Sequence, residues 1–341
     1  DERRTKVVKG KIDEISEEDM VAAEDTFVTI SHQGYIKRVN QNNYKTQKRG
    51  GKGVMGATTK EDDYVAHAAL CNTHDDLMLF TNKGRVFKIR VFEVPEYGRT
   101  AKGLPLVNLV QLKQEELVTS LLSMNKEGVI GEGEETKRRD FKFLFMATKE
   151  GTVKKTDISD FSKIRTSGLI AAKLTEGDEL LWVKPTTGED DIMLVSKGGK
   201  SIRFSEDDVR PTGRNTIGVR GMKFKLDADE LISMDVVKNK GALLFTLSEN
   251  GYGKMTKLEE YATQGRGGSG VFTFRVTKKT GDLVVARIIE DPKETEIVVI
   301  STKGQVIRSG MDAIPTLSRQ TSGVKVMTMN SDDYVAALAV W

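Results

Sequence analysis

A seven-residue run of cations and glycines has the most specific chemistry in this sequence. The run is Gln47-Lys48-Arg49-Gly50-Gly51-Lys52-Gly53, and the surrounding residues 31–60 carry seven Lys and Arg but no Asp or Glu. Glycine allows the backbone to approach a surface that a Cβ atom would block, and the adjacent cations supply charge. A regular polyanion such as duplex DNA is the ligand that suits this chemistry. Taken alone, such a run could also be a flexible, solvated loop.

No catalytic or metal-binding arrangement accompanies the run. Residues 50–53 lack the G-x-x-x-x-G-K-[ST] spacing of a phosphate-binding P-loop. Ser31, His32 and Asp75 have the residue types of a catalytic triad, but no G-x-S-x-G elbow or comparable signature accompanies them. The three histidines have no cysteine partners at zinc-site spacing. We therefore expect no catalytic residue and no metal site.

Composition narrows the class of protein. The 341 residues are 38% hydrophobic, which is enough for a core, and 30% charged with a net charge of +3, so any affinity for nucleic acid must come from the arrangement of charges. The single cysteine, Cys71, excludes an internal disulfide framework and suits a reducing cytosol. No apolar run approaches 18 residues, and the start, Asp1-Glu2-Arg3-Arg4, is no signal peptide. The abrupt charged start predicts a piece of a longer protein.

Three features recur six times along the chain and indicate an internal repeat. The first is an apolar run, a polar turn with glycine and a second strand with Lys or Arg, which predicts a β-hairpin. The second is a glycine before a branched apolar residue, 19 residues after the turn glycine in five copies and 17 in the third. The third is an acidic turn before another apolar run. The turn glycines are Gly34, Gly84, Gly151, Gly199, Gly251 and Gly304, and the second glycines are Gly53, Gly103, Gly168, Gly218, Gly270 and Gly323.

A repeat of about 50 residues with several short strands and almost no helical periodicity is typical of a propeller-type blade. The chain is therefore predicted to be all-β, with six blades in one domain over residues 21–341. Residues 1–20 are a charged lead-in, and residues 126–140 are an exposed insertion. The approximate blades are residues 21–70, 71–123, 141–184, 185–237, 238–289 and 290–341.

Cations recur at two positions of the repeat. Three or four residues after the turn glycine each copy has Lys or Arg, and close to four residues before the second glycine each copy has Arg. Equivalent positions in a cyclic repeat project at equivalent heights, so we predict a belt of cations on the outer rim. The alternative is that each cation pairs with an acid or caps a loop carbonyl within its blade. The predicted rim residues are Lys37, Arg38, Lys45, Lys88, Arg99, Lys102, Lys154, Lys155, Arg165, Arg203, Arg214, Lys254, Arg266, Arg308 and Arg319.

The expected ligand of this belt is duplex DNA. Aromatic residues make up only 6% of the chain, and none interleaves the cations in sequence, as base stacking on single strands or RNA would require. Contacts would be mostly to phosphate, so binding would tolerate many sequences and depend steeply on salt. A curved track of cations would also bend the duplex.

Residues 47–53 closely resemble the signature box, Q-R-R-G-G-R/K-G, of the C-terminal domain of the DNA gyrase A subunit. The six repeats and the lead-in Asp1-Glu2-Arg3-Arg4-Thr5 resemble the same family over essentially the whole chain. Lys48 stands where Arg is usual, which keeps the charge but loses the forked donor. The fifth copy is box-like with two cations lost, and it consists of Gln264-Gly265-Arg266-Gly267-Gly268-Ser269-Gly270.

The resemblance implies more than the spacing does. It implies a six-bladed β-pinwheel, a disc or spiral whose blades exchange strands, with DNA wrapped on the basic rim so that gyrase introduces negative supercoils in an ATP-dependent cycle. It implies that residues 1–20 lead in from a catalytic core that holds the catalytic tyrosine, and that ATP and Mg are used elsewhere in the holoenzyme, with no cofactor in this chain. The implied partners are the rest of gyrase A and gyrase B in an A2B2 assembly. The fragment is expected to be non-catalytic, monomeric, and cytoplasmic at the nucleoid, without contact to a membrane.

Three alternatives remain open. The A-type subunit of topoisomerase IV has a related C-terminal domain, usually with a degraded or absent box. A propeller-like scaffold for protein partners would use its rim charges only for solvation. An enzyme with a site at the central channel would place convergent polar side chains there.

Overall fold

A computed structural model describes residues 20–40, 63, 65–98, 101–125, 130–131, 140–225, 228–303 and 305–340. In these ranges the regular structure consists of β-strands and short 3-10 helices. The strands are β1 (Asp25–Ser31), β2 (Tyr35–Asn40), β3 (Val65–Asn72), β4 (Asp76–Thr81), β5 (Arg85–Arg90), β6 (Leu104–Pro105), β7 (Val118–Met124), β8 (Ile130–Gly131), β9 (Phe143–Thr148), β10 (Thr152–Asp157), β11 (Leu169–Ile170), β12 (Leu180–Thr186), β13 (Asp191–Ser196), β14 (Lys200–Ser205), β15 (Val219–Arg220), β16 (Leu231–Val237), β17 (Leu243–Ser248), β18 (Tyr252–Lys257), β19 (Val271–Phe272), β20 (Leu283–Ile289), β21 (Glu296–Ser301), β22 (Val306–Gly310), β23 (Val324–Lys325) and β24 (Val335–Val340). The 3-10 helices are Val91–Glu93, Leu106–Asn108, Ile158–Phe161, Glu206–Asp208, Leu258–Glu260 and Met311–Ala313.

The first five sheets share one strand order. In the third sheet the order is β12-β9-β10-β15, so the hairpin β9–β10 lies in the middle and the two-residue strand β15 comes from the next repeat. Val153 pairs with Val219 across that junction. The remaining sheets are β3-β1-β2-β6, β11-β5-β4-β7-β8, β16-β13-β14-β19, β20-β17-β18-β23 and, among the described residues, β22-β21-β24. The predicted all-β, six-bladed fold with exchanged strands is confirmed.

The sheets are arranged around a centre formed by one strand from each, which is the edge strand except in the second sheet, where β8 pairs with β7. Strands β3, β7, β12, β16, β20 and β24 contact one another in that order. These are the strands that follow the acidic turns of the repeat. The short exchanged strands β6, β11, β15, β19 and β23 therefore lie at the outer edge of their blades.

Apolar layers fill the space between successive blades. Leu144 and Phe145 are neighbours in β9 and both are fully buried, but Leu144 packs with Phe80 of the second blade, whereas Phe145 packs with Phe204 of the fourth. The rings of Phe145 and Phe204 are 6.2 Å apart. Both faces of this hairpin are thus covered, which explains why its first strand is a continuous apolar run rather than an alternating one. Burial of one such side chain stabilises the fold by about 1.5–3 kcal/mol.

The acidic turn of each repeat supports the hairpin turn of the same repeat. Gly199 has φ +82°, and a Cβ atom there would lie 2.4 Å from the carbonyl oxygen of Phe274. Asp229 Oδ1 accepts hydrogen bonds from the backbone N–H groups of Gly198 at 2.8 Å and Glu230 at 3.0 Å, and its Oδ2 accepts one from Ser196. The first and third recurring features of the sequence therefore form one structural unit.

The two segments predicted to lie outside the blades are described only in part. Of the lead-in 1–20, the structure describes Met20, which is exposed. Of the insertion 126–140, it describes Asp140 and the strand β8, in which Ile130 pairs with Met124 of β7. This segment therefore widens the second sheet at its inner edge.

Candidate nucleic-acid interface

The predicted box lies outside the described residues, as do Lys45 and Arg99. The box comprises Gln47, Lys48, Arg49, Gly50, Gly51, Lys52 and Gly53. Equivalent segments of later repeats are described, and each leads into a short strand at the outer edge of a blade. We call these segments the outer loops; they are residues 165–168, 214–218, 266–270 and 319–323.

Lys254 shows what the cations of the hairpin strands do. Its side chain is 0% exposed, and its Nζ donates hydrogen bonds to the carbonyl oxygens of Ser318 at 2.5 Å and Arg319 at 2.8 Å, both at the start of an outer loop. Burial lowers the pKa of Lys254 to about 8. This ammonium group caps a loop from inside and presents no surface to a ligand.

Other strand cations are buried in the same way. Lys154 Nζ donates to the carbonyl oxygens of Ala171 at 2.9 Å and Arg214 at 2.5 Å, and burial lowers the pKa of Lys154 to about 8. The amino group of Lys37 donates to Ala101 O at 2.9 Å. The prediction that the strand cations lie exposed on the rim is therefore wrong, because both faces of a hairpin are covered by neighbouring blades or loops. The correction applies to Lys37, Lys154, Lys155, Arg203 and Lys254.

A second group of predicted rim cations is paired with acids. Lys88 Nζ lies 2.9 Å from Asp76 Oδ2, and Arg203 forms a 2.8 Å ion pair with Asp191. Other pairs on the hairpin strands are Arg38 with Glu24 and Glu96, Lys155 with Glu206 and Asp207, and Arg308 with Glu296. The alternative considered for single cations, an acidic partner or a capped carbonyl, is thus confirmed for the hairpin strands.

Two outer-loop arginines connect neighbouring blades. Arg266 donates from Nε to Asp208 O at 2.8 Å and from a terminal nitrogen to Arg220 O at 3.2 Å. In the next repeat, a terminal nitrogen of Arg319 donates to Phe272 O at 3.2 Å, and the backbone N–H of Arg319 donates to Glu260 at 3.2 Å. In both repeats the arginine reaches the outer strand and an acidic 3-10 helix of the preceding repeat. These side chains are partly committed to the fold.

The arginines of the two preceding outer loops are less constrained. Arg165 is exposed and Arg214 is half-buried. In the part of the chain that the structure describes, neither side chain takes part in a hydrogen bond or an ion pair. Both lie beside an outer strand, next to β11 and β15 respectively. These two guanidinium groups are therefore available to an anionic ligand.

The outer edge also brings aromatic rings next to cations. Lys102 Nζ lies 3.9 Å from the centre of the Tyr35 ring, and Lys200 Nζ lies 4.7 Å from that of Phe272. Each contact joins residues of successive repeats, through strand exchange or the loop beside the exchanged strand. The sequence-based view that no aromatic residue interleaves the cations therefore needs correction, since the interleaving arises only in the folded sheet.

Polar side chains of the inner strands join neighbouring blades at the centre. Lys184 Nζ lies 2.5 Å from Asp235 Oδ1, and Asp235 Oδ2 accepts a hydrogen bond from Ile288 N–H at 2.9 Å. Burial raises the pKa of Asp235, but the adjacent cations outweigh it and hold that pKa below its usual value. His67 Nε2 lies 3.0 Å from Val118 O, and burial lowers the pKa of His67. Polar side chains do converge at the centre, as the alternative of an enzyme with a site in the central channel would require. Their hydrogen-bond and ion-pair partners, however, are groups of the adjacent inner strands.

Ser31 and Asp75, which have the residue types of a catalytic triad, each accept a backbone hydrogen bond in a different turn. Ser31 Oγ accepts the backbone N–H of Tyr35 at 3.2 Å in the first hairpin. Asp75 Oδ2 accepts the backbone N–H of Asn72 at 2.8 Å and the hydroxyl of Ser123. Within the described ranges there is no group of three or more His, Cys, Asp or Glu side chains that could hold a metal ion. Nor does any described helix have the length and apolarity to cross a membrane.

Comparison with known proteins assigns the family. The model of the family described as "DNA gyrase C-terminal domain, beta-propeller" matches six segments, which are residues 25–72, 75–123, 142–187, 190–238, 242–290 and 295–341. The chain belongs to this family. The DNA gyrase A subunit of Mycolicibacterium smegmatis is 42% identical over 341 residues, covering 99% of this chain and 39% of that relative. The chain thus spans about two fifths of the length of the curated relatives it matches.

Two solved structures have the same fold as this member of the gyrase C-terminal domain family. A solved DNA gyrase A C-terminal domain matches with a TM-score of 0.70 at 26% identity, covering 93% of this chain and 100% of that one. The C-terminal domain of a DNA topoisomerase IV matches with a TM-score of 0.75, covering 94% of each chain. Because the identity in the second case is 24%, that likeness shows the fold alone.

Sequence reasoning missed part of this interface. For a gyrase C-terminal domain, the branched residue after the second glycine was expected to carry repeat geometry, yet the next residue along, Ile170 or Phe272, is exposed in two repeats. The contacts of Arg266 and Arg319 with the preceding repeat were also unexpected. The one signal that could have indicated them is the acid-rich segment after each hairpin, such as Glu206–Asp208 and Leu258–Glu260.

Proposed function

We propose that this chain binds duplex DNA on the outer edge of its ring and wraps it, as the C-terminal domain of the A protein of a gyrase. The observation that supports this best is the pair Arg165 and Arg214. They occupy nearly the same place in two successive outer loops, and neither has an acidic partner among the described residues. By repeat position the box, residues 47–53, is the corresponding loop of the first repeat, with three cations and no acid.

The chemistry of these groups favours phosphate as the main contact. A guanidinium group donates two parallel hydrogen bonds to phosphate oxygens and keeps its charge at all physiological pH values. Such contacts tolerate any base sequence and release counterions, so affinity falls steeply with salt. Bending a duplex by 40–90° costs about 1–6 kcal/mol. Contacts spread over several blades offset that cost, whereas one loop would not.

The wider role follows from the relatives, which are the A chains of DNA gyrases. In this proposal, the chain acts with the rest of gyrase A and with gyrase B in an A2B2 assembly, in the cytoplasm at the nucleoid. Wrapping presents a DNA segment for strand passage, so that negative supercoils form in an ATP-dependent cycle. The catalytic tyrosine, ATP and Mg belong to other parts of the holoenzyme. This chain contributes binding and bending, and it uses no cofactor.

The test is the salt dependence of DNA binding by the chain and by an Arg165→Gln/Arg214→Gln variant. Each lost phosphate contact lowers the slope of log Kd against log salt by about one, so the double variant should lose about two. Lys240→Gln is the control, because Lys240 is exposed in the turn between β16 and β17, away from the outer loops. It removes one charge and should leave the slope unchanged.

A topology assay provides the second readout. Relaxed circular DNA closed in the presence of the wild-type chain should retain writhe of one sign, and the double variant should retain less. If the wild-type chain does not bind duplex DNA, or the double variant keeps the full slope, the outer loops are not the DNA track. The protein-scaffold alternative would then be favoured.

A further inference from the structure

The outer strands of four successive blades expose large apolar side chains. Ile170 is 48% exposed, Val219 39%, Phe272 51% and Val324 41%. They lie on β11, β15, β19 and β23, each of which is a two-residue strand donated by the following repeat. Ile170 and Phe272 are the second residues of their strands, and Val219 and Val324 are the first. Most hairpin residues one or two strands away are buried. We call these four residues the outer apolar band.

A cation accompanies each member of the band. Lys200 pairs with Phe272 in the sheet register, and its Nζ lies over the ring at 4.7 Å. Arg85 is the register partner of Ile170, and its guanidinium pairs with Glu116 at 2.7 Å and donates to Ser167 O at 2.6 Å. Arg220 follows Val219, and Lys325 follows Val324, on the same short strands. The outer strands are therefore mixed, with an exposed apolar side chain and a neighbouring cation on each of the four.

We propose that the outer apolar band contacts the deoxyribose faces that line a groove of the bent duplex, with Phe272 and Ile170 making the largest contacts. The inference rests on the proposed function and adds a second kind of contact to it. Phosphate binding requires only cations and gives no reason for an exposed apolar side chain on the outer strands of four blades. Proteins that bend DNA commonly place apolar side chains in the minor groove, where sugar and base edges are accessible.

The charges favour DNA over a protein as the occupant. Lys200, Arg220 and Lys325, which flank the band, complement the phosphates on either side of a groove. A protein strand that paired with the sheet edge would need a longer template, because two-residue edge strands offer few free backbone groups. The band therefore suits a ligand with alternating anionic and apolar surface.

The test compares apolar and cationic variants on one duplex. Phe272→Ala/Ile170→Ala should raise Kd about ten-fold, since two apolar contacts are lost, while the salt slope stays unchanged. Lys200→Gln should instead lower the slope by about one. The control is Val107→Ala, because Val107 is 63% exposed but lies in a 3-10 helix after the outer strand β6. It should leave both values at the wild-type level. End-labelled duplexes would report the bend by energy transfer, and the double alanine variant should bend DNA less.

Each outcome decides between the two proposals. If the wild-type chain binds DNA with a steep slope but the double alanine variant matches it in Kd and bend, this inference is wrong and the proposed function stands. If the wild-type chain does not bind DNA, the proposed function fails first. If the wild-type chain self-associates in sedimentation and the double alanine variant does not, the band is a protein interface and the inference is overturned.

Discussion

The buried ammonium group of Lys254 gives a prediction about stability and pH. The group is 0% exposed, it donates to two loop carbonyls, and burial lowers its pKa from 10.5 to about 8. In the unfolded chain the same group keeps its proton up to its usual pKa. Between these two values the unfolded state binds more protons than the folded state, so the free energy of unfolding must rise with pH. Below pH 8 both states are protonated, and the folded state carries the cost of a buried charge.

The size of the effect follows from the two pKa values. The difference between 10.5 and about 8 corresponds to about 3 kcal/mol when the full interval is crossed. Between pH 7.5 and pH 10 most of the interval is crossed, and the contribution is about 2 kcal/mol. Burial also raises the pKa of Tyr261 to about 12, which lowers stability above pH 10, so the measurement should stop there.

The assay is urea unfolding at several pH values for the wild-type chain, Lys254→Met and Lys257→Met. Lys257 lies on the same strand but is exposed. The Lys257→Met substitution therefore removes a charge and leaves the buried ammonium group of Lys254 in place. The wild-type chain and Lys257→Met should gain about 2 kcal/mol more than Lys254→Met between pH 7.5 and pH 10. Because only the change with pH is compared, lost hydrogen bonds cancel. Parallel curves for all three proteins would show that Lys254 titrates at its usual pKa, and the account of a buried ammonium would be refuted.

Two further predictions concern the outer loops. Gly270→Ala should lower the free energy of unfolding by about 2 kcal/mol or more, because Gly270 has φ +66° and a Cβ would lie 2.1 Å from Ser201 O. Gly265 directly precedes the same loop and has open space around it, so Gly265→Ala should cost much less in thermal and urea unfolding. Glu260→Gln should raise DNA affinity about two- to three-fold and steepen the dependence of Kd on salt. The reason is that the carboxylate 4.0 Å from Arg319 Nε no longer competes with phosphate. An unchanged Kd in a binding titration would contradict this.

The fold was predictable because its signals are local and repeated. Glycines at constant spacing, such as Gly199 with Gly218 and Gly251 with Gly270, mark the hairpin turn and the entry to the outer strand in each copy. In the structure, glycines of both kinds have a positive φ, and a Cβ atom would lie too close to a backbone carbonyl oxygen, as at Gly199 and Gly270. A six-fold repeat of such constraints leaves few architectures other than a ring of small sheets.

The site was harder to predict because exposure depends on neighbours that the sequence does not identify. Lys154 and Lys155 are adjacent in β10 and should point to opposite faces, so one would be solvent-exposed in a sheet with one free face. Both are 3% exposed, since blades cover both faces of the hairpin. The pairing of Lys200 with Phe272 depends on strand exchange between repeats, which spacing alone does not reveal.

The two cationic positions of the repeat are coupled through one hydrogen bond. Lys154 Nζ donates to the carbonyl oxygen of Arg214, and Lys254 Nζ donates to that of Arg319, at 2.5 and 2.8 Å. The strand lysine therefore holds the backbone of the residue whose guanidinium lies at the outer edge. This explains why both positions carry cations in successive repeats although only one of them reaches the surface. It also explains how a chain with a net charge of +3 can present a basic edge. Carbonyl groups and acids compensate the charges of the strand cations, and the strand lysines position the outer-loop arginines.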